Sequence, residues 1–139
     1  MRIVVIDGQG GRMGSALVER IKAALPEAEC LAVGTNSTAT AAMLRAGADA
    51  GATGENPVLV NARTADVIAG PVGILAANAL YGEVTPAMAR AIGESRALKL
   101  LLPVNRCGVV VVGVREQPLS DYIREAVERI RALSAQRQA

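Results

Sequence analysis

The hydrophobic pattern changes period along the chain, and each change marks an element. Ile3-Val4-Val5-Ile6 is a continuous β-branched run that stops at Asp7-Gly8, which predicts a buried central strand leading into a glycine loop. From Arg12 to Leu25 the period becomes helical: Met13, Leu17, Ile21 and Leu25 recur every fourth residue, with Glu19, Arg20 and Lys22 opposite, and Pro26 ends the helix. Cys30 to Val33 predicts a second strand, closed by Gly34. Thr35-Asn36-Ser37-Thr38 offers several N-caps for an Ala-rich helix that runs to Ala46, with Gly47 as its C-cap. Asp49 to Asn56 reads as a loop and Pro57 to Ala65 as a short helix, because Asp66 to Ala69 supplies the next strand. Gly70-Pro71-Val72-Gly73 is then a turn. Thr85 and Pro86 start a helix to about Ser95, and Leu98 to Leu102 is a strand stopped by Pro103. Val109 to Val112 predicts one more strand; the turn before it is too short for a helical crossover, so an antiparallel edge is expected. Leu119 to Leu133 is an amphipathic helix, and Ser134–Ala139 is expected to fray.

Alternating strands and helices joined by short connections predict a three-layer, Rossmann-like α/β fold. Its sheet is mostly parallel, of about five strands, with the antiparallel edge just described. Residues 1–133 form a single domain on this reading, and 134–139 a tail. Ligands of such sheets bind beyond the carboxyl ends of the strands, where the strand order reverses.

Composition narrows the chemistry. The chain has 139 residues, 15 Lys+Arg against 13 Asp+Glu, no Phe or Trp, and only Tyr81 and Tyr122 as aromatics. A net charge of +2 and the lack of a stacking platform argue against nucleic acid. Zero His removes a His triad, a His general base and a His metal site. Cys30 and Cys107 cannot form a Cys-cluster zinc site alone and read as free thiols in a reducing compartment. No apolar run approaches the ~20 residues of a membrane span, and the short first strand is no signal peptide, so a cytoplasmic protein is expected.

The sharpest local signal is Gly8-Gln9-Gly10-Gly11-Arg12-Met13-Gly14, directly after a strand and opening a helix. Glycines let backbone approach a pyrophosphate, and the free amides and dipole of the helix start favour the anion. The spacing is G-x-x-G-x-x-G, at Gly8, Gly11 and Gly14, because position 13 is Met. The alternative is a tight strand-to-helix turn. NAD sites place an acid after the second strand to hold both ribose hydroxyls. Here Gly34-Thr35-Asn36-Ser37 stands there and no acid occurs from Leu31 to Ala48, which leans toward NADP over NAD. Ser37 and Thr38 equally serve as helix caps. Asp7 would repel a pyrophosphate unless paired; it either caps the loop's own amides, binds a sugar hydroxyl, or orients Arg12 or Arg106.

The string Gly8 to Gly14 resembles the cofactor loop of dihydrodipicolinate reductase, an enzyme of NADH or NADPH. That resemblance covers the first strand, loop and helix only; the reductase's histidine-rich catalytic motif has no counterpart here. The whole chain resembles a family of short bacterial proteins known as a domain of unknown function. The shared phrases are Val5-Ile6-Asp7-Gly8-Gln9-Gly10-Gly11, Gly34-Thr35-Asn36, Gly51-Ala52-Thr53-Gly54-Glu55-Asn56, Gly70-Pro71 and Pro103-Val104-Asn105-Arg106-Cys107. This resemblance implies a Rossmann-like fold and brings no reaction.

Other groups are expected at the same sheet edge. Gly70 and Pro71 would let backbone approach a ligand. Asn78, Asn105, Arg106 and Cys107 form a candidate substrate or anion site, with Arg106 as a bidentate clamp; the other reading of these last three is a hairpin turn. Tyr81 has no Lys in a Tyr-x-x-x-Lys arrangement. The sequence therefore predicts a nucleotide- or dinucleotide-binding module whose phosphate sits on the Gly8–Gly14 loop. The alternative is a small oligomeric NAD(P)-dependent oxidoreductase that borrows its substrate pocket from a second subunit. A homodimer or higher homo-oligomer is expected through the last helix or the edge strand.

Overall fold

The computed structural model describes residues 1–104 and 108–139. The elements are β1 (Arg2–Asp7), α1 (Arg12–Ala24), β2 (Glu29–Gly34), α2 (Ser37–Arg45), β3 (Ala50–Thr53), α3 (Glu55–Ala62), β4 (Val67–Pro71), a 3-10 turn (Val72–Leu75), α4 (Pro86–Glu94), β5 (Leu98–Leu102) and α5 (Leu119–Gln138). The strands form one sheet in the order β3-β2-β1-β4-β5. Every pairing is parallel, with Arg2–Asp7 in register with Glu29–Gly34 and Ile3–Val5 with Val67–Ala69.

The alternation of β1 divides the core into two layers. Ile3 and Val5 pack with Leu17, Val18 and Ile21 of α1, Met43 of α2 and Ile130 of α5. Val4 and Ile6 pack on the other face with Val58 of α3, Ile74, and Met88 and Ile92 of α4. Each such side chain, fully withdrawn from water, contributes roughly 1.5–3 kcal/mol. Helices on both faces explain why β1 is apolar at every position. The chain steps outward from β1 through β2 to β3, then returns across β1 to β4. The order reverses between β1 and β4, so the loops after these two strands face each other over the carboxyl edge.

Two expectations need correction. The expected antiparallel edge strand is absent: Val109–Val112 is not a strand among the described residues, and the sheet is entirely parallel. Val110 and Val112 are 75% and 95% exposed. β-Branched propensity needs a partner edge to express itself. Here the following segment is fastened to α5 instead, where the Tyr122 hydroxyl donates to the Arg115 carbonyl at 2.6 Å. The expected loop over 49–56 in fact contains β3 and the start of α3, with Pro57 in that helix's first turn. The last helix extends to Gln138, and Arg137 pairs with Asp66 at 2.7 Å. No helix among the described residues is long and apolar enough to cross a membrane.

Cys30 lies at 0% exposure in β2, and its thiol is pushed up to about 12, by burial first and then by the adjacent Asp49 charge. The thiolate is the reactive species. Native protein at mildly alkaline pH should therefore alkylate at Cys30 at least ~100-fold more slowly than urea-unfolded protein, as read by mass spectrometry of the Cys30 peptide.

Candidate functional site

β1 delivers Asp7 to the carboxyl edge of the sheet, where its carboxylate is 5% exposed. One oxygen accepts the Gly8 amide at 2.8 Å and the other accepts the Gly14 amide at 2.7 Å. Asp7 therefore caps the loop from within, and two amides that a ligand would want are already used. Burial pushes this carboxyl above its ordinary range, against the two amide bonds, and nearby Glu83 adds to the rise. The Gly11 amide closes the turn onto the Gly8 carbonyl at 2.9 Å. Gly11 itself is left-handed, with φ 72°, and a Cβ there would lie 2.8 Å from the Ala39 backbone. A Cβ on Gly14 would lie 2.5 Å from Met43 Sδ and 2.8 Å from Asp7 Cβ. Packing accounts for both glycines without a ligand. Gly10 differs: a Cβ there would meet nothing within 4 Å.

Over Gly8 lies a second carboxylate that the sequence reading missed. Glu83 Oε1 accepts from the Gln9 amide at 2.9 Å, the Thr35 hydroxyl at 2.5 Å and the Asn36 side-chain amide at 2.8 Å. Burial raises the pKa of Glu83, but the bonds from Thr35, Gln9 and Asn36 outweigh it and hold the carboxyl below its ordinary value. Asn36 also donates to the Gln9 carbonyl, and its Oδ1 caps α2 by accepting the Ala39 amide. The acid absent after β2 in the sequence thus arrives from the loop before α4. A phosphate on a ribose 2′-oxygen beside Thr35 and Asn36 would face this like charge.

The structure brings Asp7, Gly8, Gln9, Gly10, Gly11, Arg12, Met13 and Gly14 together with Thr35 and Asn36. Asp7, Gly8–Met13 and Leu80 bound a cavity of about 240 Å³. Among the described residues the amides of Gly10, Arg12 and Met13 have no hydrogen-bond partner. Ser37 is exposed at the first position of α2, apart from this contact set. Gly70 and Pro71 are buried at the end of β4, where a Cβ on Gly70 would lie 2.2 Å from the Ile6 carbonyl oxygen; this glycine serves strand packing. Asn78 is exposed and left-handed, its backbone tied to Val84 and Gly82. Asn105, Arg106 and Cys107, the rest of the expected anion site, lie outside the described residues.

Residues 2–135 match the family described as Domain of unknown function (DUF3842), and the chain belongs to that family. No curated protein matches it. Among solved structures, it is similar to a dodecameric FMN-dependent Ubix-like decarboxylase from Escherichia coli O157:H7. The TM-score is 0.47 and the identity 14%, over 97% of this chain and 94% of that one. Likeness of that order transfers neither ligand nor assembly.

Asp7→Asn should cost about 2 kcal/mol in a urea melt, because the new amide group turns toward a buried N–H that loses its acceptor. Because the folded pKa of Asp7 is raised, its contribution is fully present below about 3.8 and is lost as the pH rises through the folded value. As the pH rises above about 4, wild-type stability should therefore rise less steeply than that of Asp7→Asn.

Proposed function

We propose that this member of the DUF3842 family binds a phosphate-bearing small molecule, a nucleotide, with the phosphate over the start of α1. The observation that carries the reading is the cavity of about 240 Å³ at the glycine loop. Gly10, Arg12 and Met13, whose amides the protein leaves unused, all line it. It stands at the point where the strand order reverses, beside a helix N-terminus whose dipole favours an anion. Arg12 is exposed on its rim. The volume suits a phosphate or diphosphate group and falls below the ~300–1,000 Å³ of sites that enclose a whole drug-sized ligand. The sugar and base would then extend across the surface.

The test is a thermal melt with pyrophosphate, AMP, ATP, NAD and NADP, run on wild type and Gly10→Asp. A ligand at 100 times its Kd adds ~2.7 kcal/mol, which moves the midpoint by several degrees. Gly10 has open space around it, so Gly10→Asp should melt within a degree or two of wild type and lose the ligand shift. A wild-type midpoint unmoved by all five compounds would overturn the proposal.

A further inference from the structure

We infer that Glu83 is a built-in competitor for the anion seat of the glycine loop, so that a ligand's phosphate enters by displacing this carboxylate and freeing the turn that carries it. The inference rests on the proposed anion binding and adds its regulation. Its ground is where the donors come from. The glycine loop, the end of β2 and the cap of α2 each send one donor to the same oxygen, Glu83 Oε1. Three converging donors on one charged oxygen are what a bound phosphate oxygen also receives. The seat adjoins the cavity, since Gln9 belongs to both. An anion held close to Oε1 would be repelled by it, so the two cannot share the donors.

The segment around Glu83 is anchored in the core by the buried Ala79 and Val84, and its tip, Tyr81 and Gly82, is exposed. Its backbone is stitched to itself: the Asn78 amide donates to the Val84 carbonyl at 2.7 Å, Gly82 to Asn78 at 3.1 Å and Glu83 to Leu80 at 3.1 Å. Within it Asn78, Leu80 and Tyr81 are left-handed, at φ 66°, 56° and 57°, a conformation that these residues hold only where surroundings enforce it. Two of its side chains reach the glycine loop. Leu80 is buried over Gly8, where a Cβ would lie 2.9 Å from Leu80 Cδ1, and Glu83 binds Gln9. Tyr81, at the tip, is 99% exposed. Removing the carboxylate from its donors breaks the hydrogen bond that ties the turn to Gln9, and Leu80, which packs over Gly8, itself bounds the cavity that the ligand enters.

Isothermal titration of inorganic pyrophosphate at fixed ionic strength, on wild type, Glu83→Gln and Glu83→Ala, tests this. Binding should tighten at least tenfold in Glu83→Ala. Glu83→Gln should fall between, because its carbonyl still accepts from the same donors without the charge; it also serves if the alanine variant is poorly folded. Saturating pyrophosphate should speed chymotryptic cleavage of wild type after Tyr81. Equal affinity in all three proteins would overturn the competitor role and leave the anion seat standing. Weaker binding in both variants would overturn it too, since Glu83 would then belong to the ligand's own contacts. No binding in any of the three would overturn the anion seat and the competitor with it.

Discussion

A buried carboxylate under a glycine loop sets the geometry of this carboxyl edge. Asp7 ends the central strand with its two oxygens on the amides of Gly8 and Gly14. That pair of bonds fixes how the chain leaves β1 and where α1 begins. It also explains the residue types around it. Gly14 must lack a side chain because Asp7 and Met43 occupy the space, and Gly11 must be left-handed so that α1 can start beside α2. An ionised group at this depth costs desolvation, which the two charge-assisted bonds offset only in part, and so its pKa rises.

Glu83 repeats the device one layer further out. A carboxylate again satisfies loop donors, but this one is half-exposed and is held below its ordinary pKa by Thr35, Gln9 and Asn36. The inner carboxylate is part of the framework; the outer one sits where the framework meets solvent and the cavity. The glycine loop is thus a structure whose attraction for anions is largely met by the chain itself. What it leaves open is small: the amides of Gly10, Arg12 and Met13 and the space that they line.

Much of this was legible in the sequence wherever a local signal and a long-range contact agreed. The run Ile3 to Ile6 reads as a strand because both its faces are covered. Thr85 and Pro86 read as a helix start, and Thr85 does accept the Met88 amide at 3.1 Å. The edge strand β3 did not read as one, because Ala50-Gly51-Ala52-Thr53 has little strand propensity of its own. Its conformation comes from pairing with β2, and Gly51 leaves room for Leu44. Val109–Val112 failed in the opposite sense: high propensity without an edge to join. At the site, the glycine loop and the polar end of β2 were visible, as was the choice between capping and ligand roles for Asp7. Glu83 was not, since 74 positions separate it from Gln9 and no local signal marks it.

The central claim is that the loop over β1 is an anion seat for which the neighbouring Glu83 carboxylate competes. Amide chemical shifts of the intact protein, followed through a pyrophosphate titration, test it most directly. The account predicts that Gln9, Gly10, Arg12 and Met13 shift most, with Tyr81 and Gly82 moving at the same ligand concentration. Shifts confined to arginines and lysines away from this edge, with Gln9 and Gly10 unmoved, would contradict it.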